Sequence, residues 1–86
     1  MPEVCRFLGI VICFHYREHL PPHFHAIYGE HEAQIALGSH AVLAGHLPGR
    51  VLGLVQEWAE IHRAELFVCW DEAQAGRTPA KIEPLT

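Results

Sequence analysis

From Val51 onward one stripe of side chains recurs four, three and four residues apart, at Val51, Val55, Trp58 and His62, beside Leu52, Leu54 and Ile61. That spacing marks one face of an α-helix, and Leu66, Trp70 and Ala73 carry the pattern on. Pro48 suits the first turn of such a helix, and Gly76 ends it. A straight helix from Arg50 to Ala75 would be about 39 Å long at about 1.5 Å per residue. A compact domain of 86 residues has a radius of gyration of only about 12 Å. The helix therefore bends or its end projects into a partner. We place the bend near His62-Arg63-Ala64, giving one kinked helix or two consecutive helices over about 49–75.

The first half follows a different period. Between Gly9 and Tyr16, Ile10, Ile12, Phe14 and Tyr16 alternate with Val11, Cys13 and His15, which is strand spacing with β-branched content. Both faces are apolar, so this strand sits inside a sheet. Arg17 to Pro22 is a loop, because Pro21 cannot continue a helix and biases Leu20 towards extended backbone. A second strand runs from about His23 to Tyr28, and Gly29-Glu30-His31 turns the chain. A third strand covers Glu32 to Leu37, with Ala33, Ile35 and Leu37 on one face. Gly38-Ser39 turns it again, and Ala41 to Gly45 forms a short fourth. The expected fold is α+β: a small antiparallel sheet of three to four strands over about 7–46, packed by the C-terminal helical region. An extended tail follows over 77–86, and the whole of 1–86 is one domain.

Composition narrows the function classes. Ten acidic residues against six basic give a formal net charge of −4, and the single Lys81 and five arginines are scattered. Affinity for nucleic acid comes largely from Lys and Arg on phosphates, so a duplex-DNA partner is not expected. The longest apolar run, Phe7 to Phe14, is far short of the roughly 20 residues of a membrane span. No membrane association and no signal peptide are read from it, and a cytoplasmic location is expected. Cys5, Cys13 and Cys69 form no C-x-x-C pair and are read as small buried hydrophobes, with Cys13 a further metal ligand if its side chain lies near the histidines. There is no G-x-S-x-G and no Gly-rich phosphate loop, so a non-enzymatic role is favoured.

Histidine is the anomaly, with eight in the chain. Four of them fall within Glu18 to His31. His23 and His25 flank Phe24, so on a strand they share a face about 7 Å apart. Two imidazoles so placed reach one metal ion at about 2.0–2.1 Å, and zinc, nickel, copper or ferrous iron accepts them. His19 can fold back over Pro21-Pro22 as a third ligand, while His15, Glu18 and His62 are further candidates. The same His23 and His25 are also the candidate catalytic pair for metal-free acid–base chemistry, such as ribonuclease-type phosphodiester cleavage with Arg17 as the nearest cation. The plainest alternative is an unmetallated, structural or solvent-facing role for the pair, as a polar strand face. His31, His40 and His46 lie in or beside turns and are read as exposed. His62, on the helical stripe, is read as buried and hydrogen-bonded. Trp58 and Trp70 are read as core anchors, with Phe67 and Trp70 as an alternative exposed partner-binding surface.

Several segments together resemble a bacterial family catalogued as domain of unknown function 4160. They are R-F-x-G-I-x-I at Arg6 to Ile12, E-H-x-P-P-H-F-H-A at Glu18 to Ala26, Tyr28, G-x-L-P at Gly45 to Pro48, E-W-A-E-I-H-R at Glu57 to Arg63, Glu65-Leu66, Trp70, and K-I-E-P-L at Lys81 to Leu85. The resemblance covers nearly the whole chain. It implies a small standalone protein that works with the product of a neighbouring gene, and hence a protein-interaction module in a toxin–antitoxin pair, binding a protein partner or a second copy of itself. It assigns no role to any single residue. The chain departs from the family at Glu18, where Asp is usual, and at Phe67-Val68-Cys69, which is more apolar than usual and hints at a partner there.

Overall fold

A computed structural model describes residues 2–85; residue 86, the last of the expected tail, lies outside the described residues. Five strands form one antiparallel meander in the order β1 (Glu3–Phe7), β2 (Ile10–Cys13), β3 (His23–Tyr28), β4 (His31–Ala36) and β5 (Val42–Gly45). Two helices follow, α1 (Gly49–Ile61) and α2 (Arg63–Gln74). The α+β class holds, but the strand count is five rather than three to four. The strand missed is β1. Glu3 and Arg6 pair with each other at 2.8 Å on its exposed side, and these charges mask a short segment whose Val4, Cys5 and Phe7 are buried. The β1–β2 turn is also unusual in composition. Leu8 and Gly9 both have positive φ, 50° and 80°, as a tight two-residue hairpin requires, yet Leu is a poor residue for that backbone.

The first expected strand, Gly9 to Tyr16, is shorter in the structure. Its sheet pairing ends at Cys13, and Phe14 is held by its N–H donating to the Pro2 carbonyl at 3.1 Å. The register Ile12↔Ala26, Ile10↔Tyr28, Phe24↔Ile35 and Ala26↔Ala33 gathers the apolar side chains on one face. Helix α1 lies on that face with Val51, Val55, Trp58 and Ala59 buried. Trp58 meets Phe7 and Phe24 at ring-centre distances of 5.7 and 6.0 Å.

The helical region breaks at His62 (φ −108°, ψ 27°). The result is a body measuring 33 × 26 × 22 Å, too small for a straight 39 Å rod at about 1.5 Å per residue. The tail runs along β1, where the Ile82 N–H donates to the Val4 carbonyl at 2.8 Å. Trp58 Nε1–H donates to the Glu83 carbonyl at 2.8 Å, which ties the tail to the core. Trp70 is buried, so it does not belong to an exposed partner surface; Phe67, three residues earlier on α2, is exposed. No helix among the described residues is long and apolar enough to cross a membrane.

Candidate metal centre

β3 is the middle strand, and alternation turns Phe24 and Ala26 to the core and His23 and His25 to the other face. There both imidazoles are buried, with exposures of 1% and 3%. A solvent-facing role for this pair is thereby ruled out. The cover comes from the segment between β2 and β3. The Arg17 N–H donates to the Ala73 carbonyl at 3.3 Å, and the Tyr16 hydroxyl lies 3.4 Å from Thr78 Oγ1. These contacts anchor the loop on the C-terminal end of α2 and the tail, and they hold Glu18 over the imidazoles. Trp70 closes the inner end, its ring centre 5.5 Å from that of His23.

Three imidazole nitrogens converge on one oxygen, Glu18 Oε1: His25 Nε2 at 2.6 Å, His15 Nδ1 at 3.2 Å and His23 Nε2 at 3.4 Å. The far nitrogens are engaged as well. His23 Nδ1–H donates to the Pro21 carbonyl at 2.8 Å, and His25 Nδ1 lies 3.0 Å from Glu32 Oε2. A carbonyl only accepts, so Nδ1 of His23 carries a proton, and a neutral ring then presents the lone pair of Nε2 to Glu18. His25 faces carboxylates from both nitrogens. A lone pair set against a carboxylate oxygen is repulsive, so the cluster is balanced only by positive charge among these atoms: extra protons or a metal ion. Burial works against the Glu18 charge, but the bond from His25 and the charges of His25 and His23 outweigh it, leaving its carboxyl below the ordinary value. Burial, helped by the neighbouring His25, pushes the His15 imidazole down.

Ring spacing separates histidine pairs that can share an ion from those that cannot. About 1.1 Å from ring centre to nitrogen, plus a metal–nitrogen bond of about 2.0–2.1 Å, sets two rings on one tetrahedral ion about 5.2 Å apart centre to centre. His23 and His25 stand 5.3 Å apart with their planes at 61°. His15 and His25 are stacked at 3.7 Å and 12°, too close and too parallel to share an ion. Glu18, His23 and His25 bring their donor atoms within 4.8 Å of one another, and so do His15, His25 and Glu32. Only the first set passes the spacing test.

The other sequence candidates are placed as follows. His19 is exposed, 5.6 Å from the His23 ring centre, with Nδ1 3.3 Å from the Leu20 carbonyl oxygen. It borders the centre without joining it. His62 is mostly buried as expected, but its Nδ1 is 2.6 Å from Glu65 Oε1 and its ring packs on Trp58, so it takes no part. Cys13 pairs with His25 across β2–β3, yet no cysteine among the described residues joins either donor group. Burial pushes its thiol up to about 11. His40 is also not the exposed residue expected, since its side chain is largely covered and meets Glu60 at 2.9 Å. Glu32 is the residue sequence reasoning missed. The turn is two residues, Gly29-Glu30, so Tyr28 pairs with His31 and Ile27 with Glu32, which sets Glu32 diagonally across from His25 on the same face. The three-residue turn expected from the sequence would have paired Glu32 with Tyr28 and put it on the other face.

A cavity of about 380 Å³ lined by Leu8, Ile10, Tyr28, Arg50, Val51 and Leu54 lies apart from this cluster. The profile of a family described as Domain of unknown function (DUF4160) matches residues 9–71. The chain belongs to the DUF4160 family. The DUF4160 match contains every residue of the centre, from His15 to Glu32, together with both helices up to Asp71. No curated protein and no solved structure matches the chain.

Proposed function

We propose that this DUF4160 protein binds one divalent transition-metal ion through Nε2 of His23, Nε2 of His25 and the carboxylate of Glu18. The observation that carries the proposal is the engagement of the two far nitrogens. Metal-bound histidines typically donate their other N–H to a backbone carbonyl or a carboxylate, and here His23 addresses Pro21 and His25 addresses Glu32. Two imidazoles and one carboxylate suit zinc or ferrous iron, with nickel and copper also accepted. A bound ion supplies fixed positive charge where three donors meet. It lets both buried rings stay neutral and ties the 14–22 loop to the central strand. The test is elemental analysis of untagged protein and zinc titration of wild type and His23→Ala/His25→Ala. Near-stoichiometric metal lost in the double variant supports the proposal. Equal metal in both proteins leaves protons as the balancing charge and turns attention to acid–base chemistry.

A second reading is partner binding in a reducing, cytoplasmic setting. Ile61, Phe67 and Val68 are 62%, 39% and 58% exposed on the helical region, an apolar surface of the kind that meets another protein. A role in a toxin–antitoxin pair rests on this surface together with the family's implied neighbour. Co-purification with the neighbouring gene product, lost in Phe67→Glu/Val68→Glu, tests it.

A further inference from the structure

On the opposite side of the sheet, His31 and His46 form another histidine pair with a ring spacing close to that of His23 and His25; His19 stands equally far from His23, but its Nδ1 lies 3.3 Å from the Leu20 carbonyl oxygen. His31 opens β4 and His46 follows β5; their ring centres are 5.6 Å apart and their planes are at 68°. With one nitrogen of each ring turned inward at about 2.0–2.1 Å from a shared ion, this ring spacing corresponds to an angle of about 120° at the ion, between tetrahedral and wider geometries. His40 and His62 are each held by a glutamate. His31 and His46 are exposed, and among the described residues neither ring makes a hydrogen bond or an ion pair.

The two backbones carrying this pair are fixed. The His46 N–H donates to the Glu32 carbonyl at 3.0 Å. Gly45 has φ of 79° and lies so close that a Cβ there would collide with the same carbonyl oxygen. Only the side-chain torsions remain to be ordered, which keeps the entropic cost of closing on an ion low. The site cannot merge with the first one. Glu32 reaches His25, so its neighbour His31 points to the other face.

We propose that His31 and His46 form a separate, solvent-facing clamp for a late divalent transition-metal ion such as nickel, copper or zinc, with water or a donor from another molecule filling the remaining positions. With two protein donors it binds more weakly than a three-donor centre. The proposal is independent of whether the Glu18–His23–His25 centre holds metal.

The probe is Ni²⁺ alone, titrated calorimetrically at pH 7.5 into the full chain and into His31→Ala, His46→Ala and His23→Ala. Both positions are exposed, so circular dichroism should be unchanged in both variants. Each should lose one Ni²⁺ binding event, or weaken it by about a hundredfold, because removing one arm of a chelate removes the effective concentration the other supplied. His23→Ala should leave that event intact. Ni²⁺ binding by His31→Ala and His46→Ala within about threefold of wild type would overturn the clamp, since a chelate cannot lose an arm so cheaply. Loss of the same event in His23→Ala would overturn it equally, by assigning that event to the other face. Loss of a different event in His23→Ala bears on the first centre alone.

Discussion

Nε2 of His25 and Nε2 of His23 face the same oxygen of Glu18, at 2.6 and 3.4 Å, while their rings stand 5.3 Å apart. The pair is thus held from outside by Pro21 and Glu32 and aimed inward at a shared point. This is a preorganised donor set, and its parts should not be equivalent on mutation.

Removing an inward donor should cost more than removing an outer partner. His23→Ala deletes a proposed ligand and should abolish stoichiometric zinc binding. Glu32→Gln keeps all three donors and alters only the group that orients His25, so a loss of about 10–100-fold is expected. Competition titration with a chromophoric chelator measures both. Equal losses in the two variants would show that Glu32 is itself a ligand.

Metal should stabilise the fold, because the folded chain holds the loop carboxylate of Glu18 against the two strand imidazoles, whereas the unfolded chain leaves these donors unorganised. At free zinc about 100-fold above its dissociation constant the gain is about 2.7 kcal/mol. For a domain of this size about 1 kcal/mol moves the melting temperature by about 4–8 °C. Thermal unfolding with zinc and then with excess chelator should show a reversible rise. His23→Ala/His25→Ala should show none.

Periodicity and register made much of this legible. The helical stripe with its bend at His62, the meander, and the shared face of His23 and His25 all follow from spacing. What it left out depends on context. β1 hides behind the Glu3–Arg6 pair, and the Leu8-Gly9 turn lacks the usual residues. Whether His23 and His25 faced water or the interior was set by the 14–22 loop, whose anchors on Ala73 and Thr78 span more than fifty residues of sequence. Trp70 likewise depended on tertiary packing: the stripe allowed either a core or a surface position, and its packing against His23 decided it.

Trp58 is the centre of the core, fully buried among Phe7 and Phe24 and bonded to the Glu83 carbonyl. Trp58→Ala should cost about 3–5 kcal/mol, a large part of the stability of a domain of this size. Trp58→Phe retains an aromatic ring but leaves the Glu83 carbonyl without its donor. It should cost less overall, while hydrogen exchange at Ile82 speeds up as the tail loosens. Urea unfolding and exchange mass spectrometry separate the two effects.

The thiols give a stability limit on the alkaline side. Burial raises Cys69 from 9.0 to about 11 and Cys13 likewise from 9.0 to about 11. A folded-state value above the unfolded one means the fold favours the protonated thiol. Its contribution is fully present below the unfolded value of 9.0 and is lost as pH rises towards about 11. The urea midpoint should therefore fall between those two pH values, and fall less steeply in Cys69→Ala, which has one thiol fewer to ionise. At pH 8 the same burial should keep both thiols from reacting with iodoacetamide in the native protein, because the thiolate is the nucleophile. Both should react at once when urea unfolds the chain. Rapid native labelling at Cys69 would mean that α2 opens away from the tail, exposing the contact between its Sγ and the Ala80 carbonyl.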